Sequence, residues 1–290
     1  MKVFLTGATG FLGSHFVDLC QANNIQLKIL VRSKSLNFRI PITLQSTTEV
    51  VQKSYSELNP TDFYDIDILV HLAAHSANVP YDSLENCIYW NVSQPLHMFN
   101  SAKTAGVDKF IVTGSCFEYG LSGLSYQYIP ANAPLMPTQT YPASKACASV
   151  AFTQWALNNQ VSLKILRLFQ IYGPGELETR LWPSLIKAAQ ENCPFDMTLG
   201  EHLRDFLHVH AVSAILLSEL KKTLTSTRQI IYQNVGSGKA TSIAEFAANI
   251  LGQQKSSALL NLGALPYREG EVMRYIPDLK PFIVNGDGLI

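Results

Sequence analysis

Tyr141 and Lys145 carry the most chemistry in their spacing, within the run Tyr141-Pro142-Ala143-Ser144-Lys145. Residues four apart stand one turn apart on one helix face. Free tyrosine has a pKa of about 10, too high for a base near neutrality. A nearby ammonium, or a nearby positive nicotinamide, favours the phenolate. Such a pair can exchange a proton with a substrate oxygen while hydride moves at carbon. Near the start the chain reads Thr6-Gly7-Ala8-Thr9-Gly10-Phe11-Leu12-Gly13. Between a strand and a helix, Gly7 would permit the tight turn, Gly10 the close approach of a pyrophosphate and Gly13 the packing of helix on strand. The helix N-terminus supplies N–H groups and a positive dipole end. Each motif has a plain alternative, a chance pattern on an amphipathic helix or a glycine turn with no ligand. Together they point to a dinucleotide-dependent oxidoreductase acting on an alcohol or a ketone.

The end of the second strand bears on which dinucleotide. An acid there would bond the ribose of NAD, whereas an arginine can hold the 2′-phosphate of NADP. The chain reads Leu30-Val31-Arg32-Ser33-Lys34, with no acid. Arg32, with Ser33, therefore favours NADP over NAD, against the alternative that Arg32 is a solvated loop residue.

These groups need a frame, and the first half alternates strand and helix signals. Strands are expected over 2–5, 27–31, 66–72, 109–113 and 161–168, with a weaker one near 49–52. Helices are expected over 11–22, 84–105 and 139–157. Apolar strands alternating with helices predict an α/β fold, a doubly wound parallel sheet of Rossmann type covered on both faces. After Tyr172-Gly173-Pro174-Gly175 the rhythm changes, with a helix over 182–190 and then short mixed segments. Residues 1–170 are read as the cofactor domain, with 204–220 returning to it. Residues 171–290 are read mainly as a smaller C-terminal substrate-binding lobe, ending in a loose tail of ten residues.

Composition narrows the partners. With 22 basic and 22 acidic residues, the formal net charge is zero. Nothing attracts nucleic acid or an anionic membrane in bulk, so phosphate binding must come from a few placed groups. The five cysteines are odd in number and form no CxxC, which favours a reducing compartment over a disulfide framework. The apolar Val3-Phe4-Leu5 runs straight into the glycine loop, leaving no room for a signal peptide, and no apolar stretch is long enough to span a bilayer. A cytoplasmic protein is expected.

Four motifs occur in order: the glycine loop, Asp67-Ile68-Leu69-Val70-His71-Leu72-Ala73-Ala74, Tyr141 to Lys145, and Arg204-Asp205-Phe206-Leu207-His208-Val209. In this combination the chain resembles, over nearly its whole length, the extended short-chain dehydrogenase/reductase family. The resemblance is to its nucleotide-sugar epimerases, dehydratases and 4-ketoreductases. It implies a lobe that binds a nucleoside-diphosphate sugar, and a cofactor flanked by Leu72, Ala73 and Ala74. In Thr113-Gly114-Ser115-Cys116-Phe117-Glu118-Tyr119-Gly120, Ser115 falls on the family's catalytic hydroxyl position. It would hydrogen-bond the substrate oxygen, making a triad with Tyr141 and Lys145, whose ammonium would also hold the nicotinamide ribose. Sugar dehydratases of the family carry adjacent Asp and Glu just after that hydroxyl. Cys116 and Phe117 stand there, which argues against dehydration and leaves Cys116 as a substrate contact.

The resemblance also implies substrate residues. Arg204 and Arg268 align with diphosphate-binding arginines, whose planar fork suits phosphate, although Asp205 and Glu269 beside them also allow plain ion pairs. Gln170 stands where relatives usually carry an Asn. His75 and Asn78 are expected along the sugar site. His208 and His210 would face one side of a strand, but with no third ligand placed, packing is favoured and no metal is expected. His210 replaces an Asp usual in the family, so a helix cap is expected to be lost there. The C-terminal region is shorter than usual, which implies a reduced lobe. A homodimer is expected, because the helix from Gln139 carries Ala143, Ala146, Ala148, Val150, Ala151, Phe152 and Trp155, more apolar surface than one sheet face needs. In the family it commonly pairs with the helix over 84–105.

The reading is an NADP-dependent reduction of a nucleoside-diphosphate 4-keto-6-deoxy sugar at C4, with Tyr141 as proton donor, making a deoxysugar for surface polysaccharide. Residues 114–120 also look like those of bacterial sugar ketoreductases such as the synthases of CDP-linked dideoxyhexoses. The alternatives are an NAD-dependent nucleotide-sugar 4-epimerase using the same triad and, from another class, a non-catalytic NADP-sensing protein, which would tend to lose the tyrosine or lysine kept here.

Overall fold

In the computed structural model, which describes residues 1–32, 37–267 and 272–284, the first strand already divides the core in two. Successive strand residues point to opposite sheet faces. Phe4 enters one apolar cluster with Leu69, Phe99, Phe110 and Phe152. Val3 and Leu5 enter the other with Phe16, Ile29, Val70 and Leu216.

The elements follow in chain order. The first are β1 (Lys2–Thr6), α1 (Phe11–Ala22), β2 (Gln26–Val31), β3 (Thr48–Gln52), β4 (Ile68–His71), α2 (Leu84–Ile88) and α3 (Gln94–Thr104). Then come β5 (Lys109–Ser115), α4 (Thr140–Asn159), β6 (Ser162–Leu168), β7 (Gln170–Tyr172), α5 (Leu181–Glu191) and β8 (Phe195–Met197). The remainder are β9 (Leu203–Arg204), β10 (Phe206–His208), α6 (Val209–Thr225), β11 (Ile230–Val235), β12 (Thr241–Ser242), α7 (Ile243–Gln253), β13 (Leu260–Leu262), β14 (Arg274–Tyr275) and β15 (Phe282–Val284).

Eight strands form the main sheet in the order β15-β11-β6-β5-β4-β1-β2-β3. β15 runs antiparallel to β11, and the other pairings are parallel. α3 and α4 cover the Phe4 face through Phe99, Phe152 and Trp155, whereas α1 and α6 cover the other through Phe16, Val17, Val212 and Leu216. This is a Rossmann-like doubly wound sheet. Its strand order reverses between β1 and β4, the switch point at whose carboxyl ends ligands bind.

Three expectations change. The helix over 84–105 is interrupted by one π-turn, Tyr89–Ser93, an irregularity frequent at functional sites. Of residues 204–220, expected to return to the main sheet, the helical part packs on it. Residues 203–208 stay in small sheets, with β10 on β7 and β9 between β12 and β14, and the return is made by α6. β11 and β15 join the main sheet, so part of the expected loose tail is an edge strand. Beyond the sheet, α5 and α7 enclose a small second core of Leu185, Met197, Phe246, Ala247 and Ile250.

Candidate functional site

The carboxyl ends of β1, β2, β4, β5 and β6 surround a cavity of about 430 Å³ lined by residues that include Gly7, Gly10, Phe11, Leu12, Arg32, Leu72, Ala73, Ala74, Ser115, Cys116 and Tyr141. A second cavity of about 460 Å³ opens beside it under the small lobe, between Tyr172, Trp182, Arg204, Phe206 and Phe246. Asn78, Gln170, Ile171, Glu176 and Arg180 line both. The two spaces therefore adjoin, with the β4 and β6 loops between them.

The glycine loop is shaped for close approach. Gly7 has φ +76, in the region that favours glycine. A Cβ on Gly13 would lie 1.9 Å from the Gly7 carbonyl oxygen, so only glycine lets α1 begin this close to β1. Gly10 caps α1 without a side-chain bond, and the first-turn N–H groups have no partners within the helix. A bare helix start facing a cavity fits a pyrophosphate. Arg32 lies at the cavity edge with its guanidinium 5.3 Å from the Trp90 ring centre. Ser33 and Arg268 lie outside the described residues.

Tyr141 is buried at the start of α4, beside Tyr81 at 5.5 Å between ring centres. Burial pushes its phenol above the ordinary value, with further upward pushes from Glu118, Tyr81 and Cys116 and an opposing pull from Arg180. The expected phenolate is thus not what the bare pocket produces. Lys145 is also buried, and its Nζ donates to the Thr113 carbonyl oxygen at 2.7 Å. Burial lowers the lysine's pKa, opposed by Glu118. In the structure the Lys145 side chain anchors α4 to β5.

Ser115 ends β5, where its Oγ accepts from the Phe117 N–H at 3.2 Å. Its own N–H donates to Glu118 Oε1 at 2.7 Å. Glu118 Oε2 accepts from Ser149 of α4 at 2.6 Å and from Arg167 Nε of β6 at 2.8 Å. One wholly buried carboxylate therefore ties the serine turn to both neighbouring elements. Burial raises the Cys116 thiol to about 12, so this residue is an inert wall of the cavity.

The remaining expected contacts separate. Gln170 lines both cavities and Arg204 the lobe cavity. Asp205 is not the ion partner of Arg204, because its carboxylate accepts backbone N–H bonds from Ser237 and Gly238. Arg204 donates to the carbonyls of Leu203, Val272 and Met273. His75, expected along the sugar site, lines neither of the two large cavities. It lines a small recess with Arg32, Tyr55 and Trp90, and its Nε2 pairs with Asp82 Oδ2 at 2.7 Å. Asn91, inside the π-turn, accepts from the His75 N–H and donates to Ser144 Oγ, joining the β4 loop to α4. His208 caps α6, its Nδ1 accepting from the His210 N–H, so the cap expected to be lost is replaced. His210 lies in the helix rather than on a strand face, between His208 and His15. Among the described residues no group of three or more His, Cys, Asp or Glu is placed to hold a metal ion, and no helix is long and apolar enough to cross a membrane.

The spacing of motifs does not reveal Arg39, which lines the cofactor-side cavity, or Glu176 and Arg180. Arg39 had one available signal, a second arginine in the loop after β2. Glu176 and Arg180 had only their four-residue separation after Tyr172-Gly173-Pro174-Gly175.

A family model described as the NAD dependent epimerase/dehydratase family matches residues 3–232. The chain belongs to that family. Among curated members, CDP-abequose synthase of Salmonella typhimurium (strain LT2) is 26% identical over 93% of this chain and 87% of its own length. A UDP-N-acetylglucosamine 4-epimerase from Methanobrevibacter ruminantium, solved with UDP-N-acetylmuramic acid, superposes with a TM-score of 0.83 at 21% identity, covering 96% of this chain and 89% of that one. MoeE5, solved with UDP-glucuronic acid and NAD, superposes with a TM-score of 0.77 at 23% identity, covering 97% and 90%. The epimerase/dehydratase fold thus accounts for the main sheet and the lobe.

Proposed function

We propose that this family member reduces a nucleoside-diphosphate 4-keto-6-deoxy sugar at C4, using NADP. The observation that carries the reading is that Tyr141 and Ser115 line one cavity with the glycine loop, with Cys116 and Phe117 in place of an acidic pair. A reductase needs a proton donor at the start of turnover, and a tyrosine, with an ordinary pKa of about 10, carries its proton near neutrality. Similarity to CDP-abequose synthase supports a ketone substrate.

The glycine loop and the α1 N-terminus would hold the cofactor pyrophosphate, and Arg32 with Arg39 the 2′-phosphate. When bound, the cofactor supplies a hydride to the ketone carbon. As negative charge develops on the ketone oxygen, Tyr141 donates its phenolic proton to it, and the Ser115 hydroxyl hydrogen-bonds the same oxygen. The product is an alcohol, and the phenolate regains a proton from solvent. Lys145 holds the Thr113 carbonyl and favours the transient phenolate. Arg204 and Arg180 would clamp the diphosphate in the lobe cavity.

The 4-epimerase reading stays alive because the same triad serves it and the fold superposes on a UDP-N-acetylglucosamine 4-epimerase. Absorbance of NADPH, followed with CDP-, dTDP-, GDP- and UDP-linked 4-keto-6-deoxy sugars, separates the two. Stoichiometric NADPH loss with at least one sugar is expected. Interconversion of UDP-glucose and UDP-galactose with no net cofactor loss would replace this reading with the epimerase.

A further inference from the structure

Glu176 is a carboxylate left half-finished. It follows the turn at Gly173-Pro174-Gly175, its own N–H donating to the Gly173 carbonyl at 3.2 Å. Its side chain is 9% exposed, and Oε1 accepts from Arg180 Nε at 3.4 Å. Oε2 is buried and has no hydrogen-bond partner among the described residues. An unmet buried polar atom keeps its full desolvation penalty, which is larger for a charged group. Natural structures keep few such atoms, and one that persists asks for an explanation. Glu176 also lines both cavities, as does Arg180. The missing donor therefore has an approach from ligand space.

We propose that Glu176 is a specificity residue whose Oε2 accepts a hydrogen bond from a hydroxyl on the sugar ring of the substrate. The inference rests on reading the two cavities as a cofactor site and a nucleotide-sugar site. In that arrangement the hexose lies where the cavities adjoin, between the reacting end of the cofactor and the diphosphate. A ketone oxygen and a 6-methyl group donate nothing, so on the sugar the donor is a retained ring hydroxyl. A site built around such a bond discriminates strongly against the deoxy analogue, because the carboxylate is then left unpaired. The substrate class is accordingly a sugar with a hydroxyl at the position facing Glu176. Arg180 holds Oε1 and keeps the carboxylate oriented.

The test is calorimetric titration of the full chain, saturated with NADP, with CDP-, dTDP- and UDP-glucose and with the matching bare diphosphates. The wild type, Glu176→Gln and Glu176→Ala are compared. At about pH 8, where the carboxyl is ionised, Glu176→Ala should lose about tenfold or more in affinity for the best-bound glucose conjugate, the scale of one charged hydrogen bond, and Glu176→Gln, whose amide oxygen still accepts, should lose less. Their affinity for the bare diphosphate should fall by less than that for the sugar conjugate, through the loss of Arg180's partner, and their affinity for NADP should stay within about twofold of wild type. Thermal melts check that both variants are folded. Unchanged sugar affinity in folded variants overturns the inference, as does a parallel loss for sugar and bare diphosphate. A loss for NADP alone overturns it too, placing Glu176 on the cofactor amide. If none of the conjugates or diphosphates binds the wild type, the nucleotide-sugar reading itself falls, and the inference with it.

Discussion

At the scale of single residues, burial pushes the Tyr141 phenol and the Glu176 carboxyl above their ordinary values. Tyr141→Phe should lower single-turnover NADPH oxidation by roughly 10²–10⁴ while leaving cofactor and sugar nucleotide bound, since only the proton is removed. Ser115→Ala should cost less, because one hydrogen bond goes and the donor stays, and Lys145→Ala should also weaken NADP binding. Near-normal turnover in Tyr141→Phe would reduce the motif to a helix face. The cofactor preference is read from Arg32 and Arg39. Arg32→Asp should reverse a preference for NADP over NAD, and equal use of both by the wild type would remove Arg32 as the reader. Glu176 makes a pH prediction. Burial raises its carboxyl from 4.5 to about 7, so the folded chain holds this proton more tightly than the unfolded chain. Ionising it costs native stability progressively from the unfolded pKa up through the folded one, and the cost is complete above about pH 7. Glu176→Gln should therefore raise the melting temperature at about pH 8 more than at about pH 5. A difference independent of pH would show that the carboxyl is not ionising in that window. Tyr141, Lys145 and the glycine loop were legible in the chain because each works through local spacing. Glu176 and Arg39 were not, since what marks them is a cavity that exists only after distant loops meet.

Elements position these groups through one buried polar network. Glu118 bonds the Ser115 turn, Ser149 of α4 and Arg167 of β6. Arg167 donates in turn to Tyr119 and the Ala131 carbonyl, and Tyr119 donates to Asn234 of β11 at 2.6 Å. Removing one partner of a buried pair strands the other charge, typically at about 3–5 kcal/mol. Glu118→Ala should lose stability on that scale in urea unfolding and displace Ser115, whereas Glu118→Gln should lose less because its amide can still bond. A loss under about 1 kcal/mol for the alanine variant would show that the network is not holding the turn. The same network explains what the pattern of apolar residues conceals. β11 reads Ile230-Ile231-Tyr232-Gln233-Asn234-Val235, and its buried Asn234 looks like a loop residue until its partners are known. β5 and β6 were visible from the apolar runs Phe110-Ile111-Val112 and Ile165-Leu166, although β6 also carries Lys164 and Arg167. The helix over 84–105 was visible too, but its π-turn was not, because Asn91 bonds residues of two other segments.

Across the whole molecule, the main sheet was legible apart from β11 and β15, and the lobe was not. The lobe is built from strands of two or three residues whose pairings join distant segments, such as β9 with β12 and β14. Nothing in a local window announces such contacts. The expected dimer also changes its basis at this scale. Phe152 and Trp155 lie against Phe99 at 4.9 and 5.3 Å between ring centres, inside the main core, and so do not supply an outer face. What α4 leaves outside is narrower, Cys147, Val150, Gln154 and Asn158, with Val150 59% exposed. The adjoining helix leaves Leu84 and Tyr89 outside. A two-fold axis beside these helices would set the same patch of both copies against each other, closing the interface with no surface left to propagate. Light scattering at micromolar concentration should therefore give a dimer. Val150→Lys, which places a charge in that patch without touching the core, should give a folded monomer. A wild-type monomer, or a variant that stays dimeric, would move the interface away from α4.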